Sequence, residues 1–561
     1  MYNQSMDGDQ SRAYGTVEAR LDALNVQQEE RLARRRAQLL QLPYVDLFAF
    51  PFEPSILEMV PKTEAQVVGA VLFYKRGNDI KIGAVNPQIE GFVELLDRLK
   101  VRFGLLPQVY VISHHSLKIA LGRYRKDAEF VPIDADLLVV PEAQLKEFEH
   151  AIDSFSALGD KISSIPASQL LGPVMAGAVQ MRASDIHVEP KRDQARLRYR
   201  VDGVLQDVAT FGLDGWRQLL PRIKVLSNLK INVHMVPQEG SFVMHIGKTK
   251  YDIRVSILPG GTGEYIVLRL LSRKEGVMEL KDLGMKASDR DLVLDTLKES
   301  TGMILSAGPT GSGKTTTIAA CLREVNRPEL KIITLEDPIE YRVPGLEQTE
   351  IDVDSGYTFA VGLRSILRQD PDVIFVGEMR DEETVETSIY AAMTGHLVFS
   401  TIHSNDALGV ILRLIGMGVQ PYVLAPAVNL IIAQRLVRVV CRECAEVYKP
   451  DRAIREHIND VMERVNKTLF NPAKLMDPAL QFYRAKRCKE CGQTGYRGRV
   501  GVFELLPVKG EVEEMILRQE DMMALQEAAI RKGMTTIAQD AYLKVIEGIT
   551  TVEEVERISE E

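Results

Sequence analysis

The sequence contains no apolar run that approaches the roughly 18 to 20 residues a membrane span requires. Its nearest candidate, Val419 to Gln434, is interrupted by Gln420, two prolines and Asn429, and reads as a buried helix. The N-terminus lacks the charged-then-apolar pattern of an export signal. Cysteine is scarce, 5 in 561 residues, which argues against a disulfide framework. A basic surplus is missing too. With 69 Lys and Arg against 78 Asp and Glu the net charge is −9, unlike a protein built to coat nucleic acid. These absences point to a soluble, cytoplasmic protein that meets a membrane only through partners. What is present is ordinary globular composition, 45% hydrophobic and 26% charged, in a chain long enough for several domains.

Along the chain, residues 1–42 form a polar arm in which 27–41 read as a solvated helix bearing Arg34, Arg35 and Arg36. Residues 43–125 alternate strand-like and helical runs, the pattern of a small α/β domain. An acidic stretch, 126–165, has the composition of a linker that ends in a helix. A second domain, 166–272, opens with a helix and continues in alternating strands, with Asp202-Gly203 marking a tight hairpin. From 273 to 440 helices interleave with the apolar runs "GMILSAGP", "LKIITLED", "DVIFVGE" and "HLVFSTIH", as expected for parallel strands buried on both faces. A cysteine-bearing segment, 441–508, and a helical region, 509–561, complete the chain.

Chemistry concentrates in the 273–440 region. Gly308, Pro309, Thr310, Gly311, Ser312, Gly313, Lys314 and Thr315, followed by Thr316, match the phosphate-loop pattern between a buried strand and a helix. The glycines let successive N–H groups turn toward phosphate oxygens, and the helix N-terminus adds its positive dipole end. Lys314 reaches the β- and γ-phosphates of ATP in this pattern, and Thr315 ligates Mg²⁺. Two acidic clusters end neighbouring apolar strands: Glu336, Asp337 and Glu340 in one, Glu378 and Asp381 in the other. A carboxylate at a strand end can orient water or metal beside the γ-phosphate, whereas each cluster alone reads equally as a helix cap. His396 and His403 flank a further apolar strand; one is expected near the nucleotide and the other in packing, and the sequence does not rank them.

Cys441 and Cys444, then Cys488 and Cys491, form two CxxC pairs that suit a tetrahedral zinc site. Their 43-residue gap is longer than that of a compact zinc ribbon, and a redox role is the competing reading. Cys321, on the helix after the phosphate loop, reads as a small buried apolar residue.

The phosphate loop, "ITLEDPIEY", "LRSILRQDPDVIFVGEMRD" and "TGHLVFSTIHSNDA" stand in the order and wording of the Walker A, Asp, Walker B and His boxes of secretion ATPases. With Ala183 to His187, Glu189-Pro190 and Arg198 to Gly203, the chain resembles the GspE/PilB family of type IV pilus assembly and type II secretion motors. The resemblance implies an α/β multidomain protein: a RecA-like P-loop ATPase core, a PAS-like α+β domain before it, a small N-terminal α/β domain for partner docking, and a Cys₄ zinc subdomain. It implies catalytic roles for Glu378, Glu336 and a box histidine, with Arg254 and Arg269 on the nucleotide and Arg364 and Arg368 as a further basic pair. It further implies a homohexamer working with an inner-membrane platform protein and a cytoplasmic docking protein, using ATP, Mg²⁺ and Zn²⁺. The chain departs from the pattern at Ser241, where "PQEGS" replaces an expected "PQDGR". Pilus assembly is the expected task and type II secretion its alternative. A slow nucleotide-dependent scaffold and a DNA-transport motor are the readings from other classes; intact Lys314, Thr315 and Glu378 weigh against the first, and acidic charge against the second.

Overall fold

The structure is a computed structural model that describes residues 26–560, except 27, 49, 78, 125–136, 141–154, 164, 167–168, 247–248, 273–277, 354, 464, 466–469, 472, 474, 476 and 478–479. Most of the polar arm and most of the acidic stretch therefore lie outside the described residues. The chain divides into two compact units, Met1–Ser272 and Arg273–Glu561.

In the first unit, a three-stranded sheet is built from Ala70–Arg76, Asp79–Ala84 and Gln108–Val111. The first two strands form a hairpin, and the third runs parallel to the second after the crossover helix Glu90–Phe103. The helix at residues 28–40 lies against this domain. Arg34 stacks over the ring of Tyr44 at 5.0 Å while staying exposed, and the half-buried Arg36 donates to the carbonyl of Val85.

A seven-stranded sheet follows, in the order 137–140, 238–246, 249–260, 263–272, 183–190, 194–201, 204–212. Its inner face packs on helices Phe155–Ser163, Leu171–Gln180 and Leu213–Leu226 through Ile186, Leu197, Tyr199, Ile253 and Leu268, all fully buried. Asp202 (φ 48°) and Gly203 (φ 87°) make the two-residue turn between the sixth and seventh of these strands. Strand 238–246 begins in "QEGS", the segment that departs from the expected pattern at Ser241. Within the stretch read as a linker, Leu137–Val140 pairs in parallel with 243–246.

The second unit holds a seven-stranded sheet ordered 347–350, 332–336, 373–376, 397–402, 302–307, 428–440, 496–507. All neighbours are parallel except the last pair. The central strands 302–307, 332–336, 373–376 and 397–402 are buried on both faces: Met303, Leu305 and Ala307 join one core with helices 382–393, 407–416 and 421–427, while Ile304 joins another with helix 314–325. Cys321 sits in that second core with no exposed surface, as a small apolar residue would.

One expectation is corrected here. Val419 to Gln434 is not a single buried helix. A short helix, Pro421–Ala427, gives way to the strand Val428–Val440. Pro426 and the β-branched run that follows favour extended chain, and both edges of the strand find hydrogen-bonding neighbours in 302–307 and 496–507.

Candidate active site and cysteine cluster

Parallel α/β sheets bind ligands at the carboxyl ends of their strands. At that edge of the second unit, strand 302–307 leads into the phosphate loop and helix Lys314–Val325. Two of the loop glycines are required by space as well as by conformation. At Gly308 (φ 153°) a Cβ would stand 2.3 Å from Ser312 Oγ, and at Gly313 (φ 93°) one would stand 2.6 Å from Gln434 Nε2. Lys314 is buried, and its ammonium donates to the carbonyls of Gly308 at 2.8 Å and Pro309 at 3.0 Å. Burial pushes its pKa down to about 8, against the pull of Glu378 and Glu340.

The same edge gathers the acidic residues. Glu378 follows strand 373–376; its carboxylate pairs with Arg380 Nη2 at 2.5 Å and faces His403 Nε2 at 3.8 Å. Burial and the neighbouring Lys314 hold the His403 imidazole below its usual pKa, despite the opposing Glu378. His403 at pH 7 is therefore a neutral hydrogen-bonding group. Glu336, the last residue of strand 332–336, accepts from Thr334 Oγ1 at 2.7 Å and Gln348 Nε2 at 2.9 Å. Its burial raises the carboxyl pKa, placing it among groups able to hold a proton or, beside a cation, to ionise. Thr316 shares a 2.9 Å hydrogen bond with Tyr341 OH.

Lys314, Glu378 and His403 thus converge, with Glu336 on the neighbouring strand end. His396 does not join them. It lies at the opposite end of strand 397–402, where Nδ1 meets the Ala391 carbonyl at 2.9 Å and finishes helix Glu382–Met393. Six strand residues span about 20 Å. Arg254 and Arg269 belong to the first unit and stand side by side on adjacent strands. Arg364 is paired with Glu383, and Arg368 donates to the Arg364 carbonyl at 2.8 Å. Sequence reasoning missed Gln434, which accepts from Thr317 Oγ1 at 2.7 Å and crowds Gly313. Its signal was a buried polar residue in the middle of an apolar strand.

The four paired cysteines meet in the second unit. All four Sγ atoms lie within 4.8 Å of one another, with separations of 3.8 Å for Cys441–Cys488, 3.9 Å for Cys444–Cys491 and 3.6 Å for Cys488–Cys491. A tetrahedral zinc with Zn–S distances near 2.3 Å places its sulfurs about 3.8 Å apart, so the cluster fits that ion. Backbone N–H groups of Gly495 and Cys488 donate to Cys491 Sγ at 3.1 and 3.4 Å, the kind of support a thiolate ligand needs.

A family model described as Type II/IV secretion system protein matches residues 160–557. The Type IV pilus assembly ATPase PilB of Myxococcus xanthus is 33% identical over 529 residues, covering 94% of this chain and 91% of that protein. Type II secretion system protein E of Pseudomonas aeruginosa is 42% identical over 396 residues, covering 71% of this chain and 76% of that protein. Among solved structures, the Legionella pneumophila ATPase DotB shares the fold, with a TM-score of 0.51 at 20% identity over 71% of this chain and 97% of that one. With a complete phosphate loop facing Glu378 and His403, the chain belongs to the Type II/IV secretion system protein family, as an ATP-hydrolysing enzyme of the GspE/PilB group.

Proposed function

We propose that the protein is a hexameric motor whose ATP hydrolysis drives type IV pilus assembly, extracting pilin subunits at the inner face of the cytoplasmic membrane. The observation that carries the chemistry is the convergence of Lys314, Glu378 and His403 at one sheet edge. In the working cycle, the loop N–H groups hold the phosphates and Lys314 exchanges its two carbonyl partners for phosphate oxygens. Glu378 orients the attacking water, and the neutral His403 beside it hydrogen-bonds the γ-phosphate region. Thr315 and Glu336 would hold Mg²⁺, which neutralises charge on the β- and γ-oxygens. Arg254 and Arg269 neutralise the charge that develops as the γ-phosphoryl leaves. Four thiolates would hold a structural zinc.

No helix among the described residues is long and apolar enough to cross a membrane, so engagement through a platform protein and a docking protein fits this reading. Alignment over more than nine-tenths of the chain is shared by pilus assembly ATPases and by a type II protein E, so the N-terminal domain fits either task. The higher identity to type II protein E over 396 residues favours a second reading, a motor for a secretion pseudopilus. Deleting the gene and scoring surface pili against secreted enzymes separates the two. For the chemistry, Glu378→Gln should retain ATP binding and lose at least about a hundredfold in kcat. Hydrolysis at the wild-type rate would overturn the assignment.

A further inference from the structure

The outer face of the sheet in the first unit carries a straight row of polar side chains. Ser241, Arg254, Arg269, Asp185 and Arg200 stand directly opposite one another across five neighbouring strands. Their chain neighbours Ile253, Leu268 and Ile186 have no exposed surface and fill the core, so the alternation of a strand turns this row to the other face. Like charges placed directly opposite one another destabilise a sheet. Here Arg254 and Arg269 are such a pair, and Arg200 lies two strands from Arg269 with only Asp185 between them.

Asp185 is the residue that holds the row. Its side chain is 6% exposed, against 55% for Arg269 and 36% for Arg200. One carboxylate oxygen accepts from Arg269 Nε at 2.9 Å, and the other accepts from Ser184 Oγ at 2.8 Å and faces Arg200 Nε at 3.5 Å. Both arginines are therefore gripped at the inner nitrogen. Arg200 also donates Nη1 to the Gly203 carbonyl at 2.9 Å, which fixes its plane. A pair on the same sheet shows the contrast. Arg196 gives both Nε (2.6 Å) and Nη2 (2.7 Å) to Asp207, a closed fork that leaves little for any other anion. Among the described residues, Arg269 keeps both terminal nitrogens available and Arg254 beside it makes no ion pair or hydrogen bond.

We propose that Asp185 is a positioning residue for ATP hydrolysis, gripping Arg269 and Arg200 by their inner nitrogens so that Arg269 presents its two terminal nitrogens to phosphate oxygens. The inference rests on the reading that Arg254 and Arg269 act on the nucleotide. The carboxylate offsets the repulsion among the arginines and fixes the direction of Arg269 before the nucleotide arrives, so the ordering cost is met during folding rather than in each catalytic cycle.

The test is steady-state ATPase activity of the full chain for Asp185→Asn, Arg269→Gln, the double variant and Asp185→Glu, with Asp207→Asn as the control from the closed fork. Arg269→Gln is expected to lower kcat by about tenfold or more, and Asp185→Asn by a comparable factor. The double variant is expected to be no slower than Arg269→Gln alone, because Asp185 acts through that arginine. Asp185→Glu, which restores the charge, should recover part of the loss, and Asp207→Asn should match the parent. Wild-type activity for Asp185→Asn with an impaired Arg269→Gln would overturn this inference alone. Wild-type activity for Arg269→Gln would overturn the reading beneath it. Multiplying losses in the double variant, with a lowered unfolding transition for Asp185→Asn, would reduce Asp185 to a structural ion pair.

Discussion

Lys314 sits with its ammonium turned back on its own loop, satisfied by two carbonyls in a buried setting that lowers its pKa to about 8. Polyphosphate selects the protonated form. ATP affinity should therefore be flat up to about pH 8 and weaken above it, approaching about tenfold per pH unit. Titration with a non-hydrolysable analogue from pH 7 to 9.5 checks this, and an unchanged affinity across that range would contradict it. Glu504 makes a second residue-scale prediction. Its oxygens accept from the N–H groups of Ala407 at 2.8 Å and Ile537 at 3.3 Å, the first residues of two helices. Burial pushes its pKa up from 4.5 to about 7, with Asp406 adding to the rise and Arg435 opposing it. A raised acid stabilises the fold fully below the unfolded value, and that contribution is lost as pH rises from about 4.5 to 7. The loss is on the order of 3 kcal/mol. The stability of the parent relative to Glu504→Gln should fall over that window when thermal unfolding is followed at several pH values; a constant difference would count against it. Lys314, Glu378 and Glu336 were legible because a local pattern specifies each. The two histidines were harder, since they bracket one strand symmetrically. Strand direction decides between them: His403 is at the carboxyl end, His396 at the other.

Among the elements, the buried parallel strands were plain in the sequence because burial on both faces leaves a near-continuous apolar run. The same property hid strand 428–440, whose periodicity cannot be told from that of a buried helix over so short a stretch. Residues 137–140 have too little pattern for a strand and gain one only from pairing with 243–246. The cysteine pairs were legible as one cluster from their matched CxxC spacing, although the 43-residue gap between them is closed only by the fold. Cys441 follows directly on strand 428–440, and its N–H donates to the Gly495 carbonyl at 2.9 Å, one residue before strand 496–507 begins. Removing zinc with a chelator should speed amide exchange at residues 436–440 and 496–500 and leave 302–307 protected. Equal exchange in all three segments, measured by mass spectrometry, would argue that the cluster does not secure that end of the pair.

For the whole molecule, the proposed hexamer predicts a particle of six chain masses by light scattering when Glu378→Gln is held with ATP. A single chain mass under every nucleotide condition would exclude a ring. The net charge of −9 sets no obstacle of its own, since opposite charges are interspersed along the chain. The order of the four nucleotide motifs identified the family. Strand 428–440 ties these scales together. At about 40 Å, it borders the phosphate loop through Gln434 near its middle and runs out to the cysteine knuckle, bonded along most of that length to 496–507. A two-stranded ribbon of that length, clamped in a sheet at one end and tied by four sulfurs at the other, is a stiff beam. Its outer half is also packed against the C-terminal helices, through Val437 in their core and Arg438 on Glu554, so a tilt at the loop would be passed to those helices as well as to the knuckle.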